Sequence, residues 1–251
     1  MAVSDLHWRI EETCFNAFPS LQQVLLGDWL LRFAAGLSRR ANSVNPLRPG
    51  CSGIAAAIAA AERLYPAHGQ PAIFRVPSIA DPALDRALEA RGYTREGETV
   101  VLYGAMDRFA ASPCAEVRLL AEPSPEWLAA MASLQRYSPL QADTYRRIVG
   151  AIALPARFAL AAADGAPAAL AYGAIHDGLL CYESVITDPR RRRQGLARQV
   201  MAALAAWARA GGAGSVCLQV EAGNAPARAL YAGMGLREVY RYHYRRAPPQ
   251  D

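Results

Sequence analysis

The chain lacks the residue patterns that would make it a metal, redox or membrane protein. Its five cysteines, Cys14, Cys51, Cys114, Cys181 and Cys217, are scattered and odd in number. None forms a Cys-x-x-Cys pair or lies near a histidine at zinc spacing, so no metal is expected. They read as reduced, mostly buried thiols of a cytoplasmic protein. Histidine is scarce, at four residues, and none partners a cysteine as a catalytic base would. His176 and His243 read as turn and strand residues. The longest apolar stretch, around 152–175, is broken by Arg157 and Asp164, so no membrane span is expected. Met1 to Arg9 lacks signal-peptide architecture. There is no Gly-Lys-Ser/Thr of a P-loop and no Gly-x-Gly-x-x-Gly.

What is present is a core and a positive balance. Of 251 residues, 53% are apolar, enough for one large or two small domains. The net charge of +5 suits an anionic ligand, and would also suit nucleic acid.

The most informative segment is Thr187-Asp188-Pro189-Arg190-Arg191-Arg192-Arg193-Gln194-Gly195-Leu196-Ala197. Before it, Leu180 to Thr187 is rich in aromatic and β-branched residues and reads as a strand. After it, Leu196, Val200, Leu204 and Trp207 form one apolar helical stripe, stopped by Gly211-Gly212. Strand, basic glycine loop, helix N-terminus is an arrangement that binds a pyrophosphate. First-turn N–H groups lack intrahelical acceptors. Gly195 lets the backbone approach an anion, and arginines offer forked donors to phosphate oxygens. A solvated charge run is the plain alternative.

Arg192-x-x-Gly195-x-Ala197 resembles the acetyl-coenzyme A signature of the GNAT N-acetyltransferases, Arg/Gln-x-x-Gly-x-Gly/Ala. Downstream, a strand at Ser215–Val220 leads to Asn224, Ala227, Leu230, Tyr231, Gly235 and Leu236. These match the family's Asn-x-x-Ala-x-x-Leu-Tyr-x-x-x-Gly-Phe/Leu. The resemblance covers roughly residues 115–247.

It implies acetyl transfer from acetyl-CoA to a primary amine of a small molecule or peptide. Tyr231 would be the general acid: a phenol of pKa about 10 is protonated at neutral pH and can donate to a thiolate whose acid has pKa about 8.5. Val185, Ile186 and Thr187 would bind the pantetheine arm through backbone groups. Arg192, Arg193, Gln194, Gly195, Leu196, Ala197 and Arg198 would hold the pyrophosphate. Asn224 and Ala227 would contact the cofactor, Asn224 also capping the helix that follows. Strand alternation puts Cys181, Glu183, Val185 and Thr187 on one face, which makes Glu183 the candidate general base, directly or through water. No metal is implied.

The N-terminal half repeats this pattern at an offset of 143 residues. Val44-Asn45-Pro46 falls on Thr187-Asp188-Pro189, Ile54–Tyr65 on Ala197–Ala208, and Asp81–Tyr93 on Asn224–Leu236. Pro49 replaces Arg192, Ser52 replaces Gly195, Ile54 replaces Ala197 and Leu88 replaces Tyr231. The expected architecture is α/β (α+β): two tandem GNAT-like halves, each with a mixed, mostly antiparallel sheet flanked by helices. Residues 1–112 form a degenerate half without the cofactor motif. Residues 113–251 form the catalytic half, after a linker at 107–114.

Trp29 through Val44 also resembles bacterial two-part acetyltransferases. Trp29, Arg32, Arg40 and Asn42 line the cleft between halves or stabilise a strand pair. Residues 6–26 read as helical, interrupted near Pro19, and 38–45 as a strand. The protein is expected to be a monomer or homodimer. An acyl-CoA sensor without turnover is the alternative, and a nucleic-acid module using the arginine run is a lesser one. Affinity that falls steeply with salt would mark the latter.

Overall fold

Pro19 ends the first helix, and the chain beyond it turns into strands instead of resuming a helix. In the computed structural model, which describes residues 3–108 and 117–249, α1 (Val3–Ala17) is followed by β1 (Gln22–Leu26) and β2 (Trp29–Phe33). Leu26 pairs with Trp29, so Gly27-Asp28 is a two-residue hairpin turn with Gly27 at φ +55°. The expected strand at 38–45 is also shorter. A 3-10 turn occupies Arg39–Ala41, and β3 is Val44–Pro46.

The rest of the first half is α2 (Ile54–Ala67), β4 (Ile73–Pro77), α3 (Pro82–Glu89) and β5 (Thr94–Ala105). The second half runs β6 (Val117–Leu120), α4 (Pro125–Gln135), α5 (Pro139–Gly150), β7 (Ala156–Ala163), β8 (Ala166–His176), β9 (Leu179–Thr187), α6 (Leu196–Ala210), β10 (Ser215–Glu221), α7 (Ala225–Gly233) and β11 (Arg237–Arg246). Most of the linker expected at 107–114, with the boundary at 112/113 and Cys114, lies outside the described residues. Among the described residues no helix is long and apolar enough to cross a membrane.

The 143-residue offset holds element by element: β4, α3 and β5 recur as β10, α7 and β11. All strands join one eleven-stranded sheet, ordered β1-β2-β3-β4-β11-β5-β10-β9-β8-β7-β6. The β3–β4 and β9–β10 pairs are parallel, and the others are antiparallel. The order has an approximate dyad, and the last strands are exchanged across it. β5 pairs with β10, β11 pairs with β4, and the two pair with each other. Thr99 faces Tyr242, its own counterpart 143 residues later. Glu98 pairs with Arg241 at the same separation. A residue meeting its equivalent is the mark of a two-fold interface, here closed within one chain.

The sheet has helices on both faces. On one face α6 packs against β7, β8 and β9, and α2 lies over Trp29, Leu31, Val44, Phe74 and Val76. On the other face α1 lies over Val101, Cys181, Cys217 and Tyr240, Tyr242 and Tyr244. There α4 and α5 enclose Trp127, Tyr145, Phe158 and Tyr172. The last strand divides by face. The three tyrosines face α1, while His243 and Arg245 face Asp85 of α3, at 2.8 and 2.7 Å.

Charge fixes α1 across the middle of the sheet. Glu11 is fully buried and accepts hydrogen bonds from Arg75 of β4 and from the Tyr240 hydroxyl of β11. The guanidinium of Arg75 lies 3.7 Å from the Tyr242 ring centroid. At the other end of α1, buried Arg32 donates to the carbonyls of Phe15 and Phe18, where a helix terminus leaves acceptors unmet. Burial, with Arg40 and Arg75 nearby, lowers its pKa to about 10. Cys14 reaches Cys181 at 3.8 Å, and their sulfurs lie with that of Cys217 within 4.8 Å of one another. Chain spacing gave no sign of that meeting, because the three come from α1, β9 and β10.

Candidate active site

The site begins where two parallel strands part. β9 and β10 pair only from Leu179/Ser215 to Tyr182/Leu218. Beyond that, Glu183 to Thr187 of β9 and Gln219 to Glu221 of β10 diverge. Edge N–H and C=O groups on the two strands are left without ladder partners. On its other side β9 pairs with β8, but with a bulge: Glu183 faces Tyr172 and Ile186 faces Leu170. Ser184 sits there at φ +53°, a sparsely populated conformation. The Tyr145 hydroxyl of α5 donates to its Oγ at 2.7 Å.

This bulge corrects the expected alternation. The extra residue shifts the faces by one. Glu183 and Ile186 share the α4/α5 side, while Val185 packs with the α6 core. Val185 and Thr187 are therefore not on the Glu183 face. Their backbone still borders the wedge.

The arginine loop lies at the open end of this wedge. Asp188 caps the 3-10 turn Pro189–Arg191 by accepting from the Arg190 N–H at 2.9 Å. Hydrogen bonds from Arg190 hold its carboxyl down to about 2. The four arginines then divide. Arg190 pairs with Asp188 and Arg191 with Asp164. Arg192 and Arg193 are exposed and form no ion pair among the described residues. Gly195 caps α6 at φ +77° with no side-chain cap. The first-turn N–H groups, at Leu196, Ala197 and Arg198, are thus left for an anion. The Leu196 side chain is core, so only its backbone serves. The Arg198 side chain instead donates to the Gly233 carbonyl, 3.2 Å away, tying α6 to α7.

Asn224 accepts from the Ala227 N–H at 3.2 Å and caps α7, which carries Tyr231 toward the wedge. Tyr231 is 6% exposed, and its hydroxyl has no hydrogen-bond partner among the described residues. Burial, with the Glu183 charge adding to it, pushes this phenol up to about 12. It is fully protonated at neutral pH and its proton is uncommitted. Glu183 is buried, with Arg40 Nη1 at 2.7 Å from Oε1. Burial raises its pKa, and Arg40 opposes the rise.

The first half keeps the glycine cap before its helix, with Pro49 and Leu88 at the places of Arg192 and Tyr231. Gly53, not Ser52, is the left-handed cap of α2, at φ +71°. A gap-free offset misses this by one residue because the loop is one residue longer than its counterpart before the helix. Arg48 is engaged by Asp28 at 2.8 Å, and Trp29 Nε1 hooks the Ser52 carbonyl at 2.8 Å. Leu88, at the place of Tyr231, is fully buried. Of the expected cleft residues, Arg32 and Asn42 shape the 34–42 loop, and Arg40 reaches the other half. Ser184 and Tyr145 were not foreseen. A serine in a β-branched run carries no signal for a bulge.

Residues 7–245 match the family described as "Probable histone acetyltransferase Rv0428c C-terminal". The chain is 27% identical over 241 residues to a Bacillus subtilis protein described as "Uncharacterized N-acetyltransferase YobR", covering 94% of this chain and 97% of that one. In fold it is similar to a GCN5-related N-acetyltransferase from Kribbella flavida, with TM-score 0.72, 19% identity and coverage of 100% and 97%. It is also similar to a tandem GNAT protein from the clavulanic acid biosynthesis pathway, with TM-score 0.64, 16% identity and coverage of 78% and 70%. With the family matched over nearly the whole chain and the wedge, glycine loop and tyrosine helix in its fold, the chain belongs to the GNAT N-acetyltransferases, in the family described by Rv0428c.

Proposed function

We propose that the second half binds acetyl-CoA and transfers its acetyl group directly to a primary amine of a small molecule or peptide. The observation that carries this reading is one constellation: a parted strand pair, a helix with no side-chain cap beside two arginines unpaired among the described residues, and a buried tyrosine whose hydroxyl has no hydrogen-bond partner among them. Arg192, Arg193 and the α6 N-terminus hold the pyrophosphate. Backbone groups of Val185 to Thr187 align the pantetheine arm, and an N–H at this edge stabilises the oxyanion.

The amine nitrogen, as free base, bonds to the thioester carbonyl carbon. The carbon–sulfur bond then breaks, and Tyr231 gives its proton to the departing thiolate. The proton lost by the amine passes to Glu183, directly or through water. The first half carries no donor site and shapes the acceptor side.

Acetyl-CoA is expected to raise the melting temperature, and Arg192→Ala to weaken its binding about tenfold, near 1.5 kcal/mol, as for one charge-assisted hydrogen bond. Thermal shift and thiol release across an amine panel check this. No shift at millimolar acetyl-CoA sinks the proposal. A shift without turnover on any amine points to a sensor. The chain contains no lysine, so lysine acetylation detected with a protein acceptor belongs to the acceptor.

A further inference from the structure

Glu183 is buried in the second half, yet the cation that meets it comes from the first. Arg40 stands at the repeat position of Glu183, 143 residues earlier. Its Nη1 donates to Glu183 Oε1 at 2.7 Å, and the side chains are 27% and 2% exposed. The backbone that aims Arg40 is fixed from several sides. Buried Asn42 accepts from the N–H groups of Ala34 and Gly36, at 2.7 and 3.0 Å, and donates to the Ser38 carbonyl at 2.7 Å. Arg32 donates to the Arg40 carbonyl at 2.9 Å. The Arg40 guanidinium lies over the Phe18 ring at 4.5 Å. A surface ion pair needs no such support.

The pairing is also selective between the two carboxylate oxygens. Oε1 takes Arg40 and the weaker contact from Cys181 at 3.8 Å. Oε2 has no hydrogen bond among the described residues. The groups around Glu183 are Cys14 of α1, Cys217 of β10, Tyr172 of β8, Tyr145 of α5 and Tyr231 of α7. Arg40 is the cation in contact with it. A carboxyl this buried and without a cation takes up a proton and ceases to be a base.

We propose that Arg40 is the positioning residue for Glu183: the half without a donor site supplies the cation that keeps the other half's base ionised, and it does so through Oε1, leaving Oε2 without a hydrogen bond among the described residues. This rests on Glu183 acting in acetyl transfer, but its first consequence is readable without turnover.

The test is a pH titration of the full chain labelled with carboxyl-¹³C glutamate, with Glu183 assigned by its loss in Glu183→Gln. In Arg40→Met the Glu183 midpoint is expected to rise by about one pH unit or more, a tenfold or larger change in its acid constant. Arg40→Lys, which keeps the charge, should hold it near the wild-type value. Arg40→Gln substitutes for the methionine variant if that fails to fold. With a turned-over amine, the acid limb of kcat/KM should move up by the same amount. An unchanged midpoint in the charge-removing variants overturns the proposal. Absence of acetyl-CoA stabilisation in the wild type, measured in parallel, would instead overturn the transferase reading and leave the titration result standing.

Discussion

Arg75→Met is expected to destabilise the protein by about 3–5 kcal/mol, because it strands the Glu11 carboxylate in the core. Glu11 is 0% and Arg75 1% exposed. Arg75 donates to both Glu11 oxygens, so the methionine variant leaves that carboxylate with the Tyr240 hydroxyl alone. The charge cannot escape to water, since α1, β4 and β11 close over it. The companion variant Glu11→Leu/Arg75→Met removes both charges and should recover most of the loss. Urea unfolding of the two variants separates a stranded charge from lost packing. A single-variant loss below about 1 kcal/mol, typical of an exposed pair, would show that the cluster does not anchor α1. The anchoring has a functional consequence, because α1 carries Cys14 beneath Glu183 and leads into Phe18, on which Arg40 rests.

Tyr231→Phe is expected to lower kcat roughly 100-fold and to leave the KM for acetyl-CoA unchanged. General acid catalysis contributes about 10²–10⁴. The lower end applies because a thiolate whose acid has pKa near 8.5 is a modest base and can leave without full protonation. Among the described residues the hydroxyl makes no hydrogen bond that phenylalanine would lose, so melting temperature should change little. Steady-state kinetics with the best amine of the panel give the comparison. A rate within threefold of wild type would remove Tyr231 from the proton path.

The parts legible in the sequence were those set by local rules. The α6 stripe follows from helical period, and the N-cap of α7 from Asn224. The repeat followed from an offset that needs no structure to count. What the residues concealed was register. Gly27-Asp28 between two apolar runs is a hairpin signal, but Leu21 to Leu26 also fits a helix continuing past Pro19. The bulge at Ser184 depends on Tyr145 and on the β8 register, so a strict period of two misplaced Val185 and Thr187. The exchange of β5 and β11 is invisible because either half pattern allows both pairings. Arg40 reads as a cleft residue in the sequence, and the 143-residue offset places it opposite Glu183 without showing that the two side chains meet. Burial and the repeat geometry bring it to Glu183.

The two halves differ less in backbone than in charge. Both have a left-handed glycine before the helix, Gly53 and Gly195. The difference lies in which charges are unengaged. Arg48 is held by Asp28, whereas Arg192 and Arg193 pair with nothing among the described residues. One donor site per chain is therefore expected. Calorimetric titration of the full chain with acetyl-CoA tests this most directly. The expected result is saturation at one molecule per chain, weakened about tenfold by Arg192→Ala and unaffected by Arg48→Ala. Saturation at two per chain, sensitivity to Arg48, or no saturable binding would contradict it.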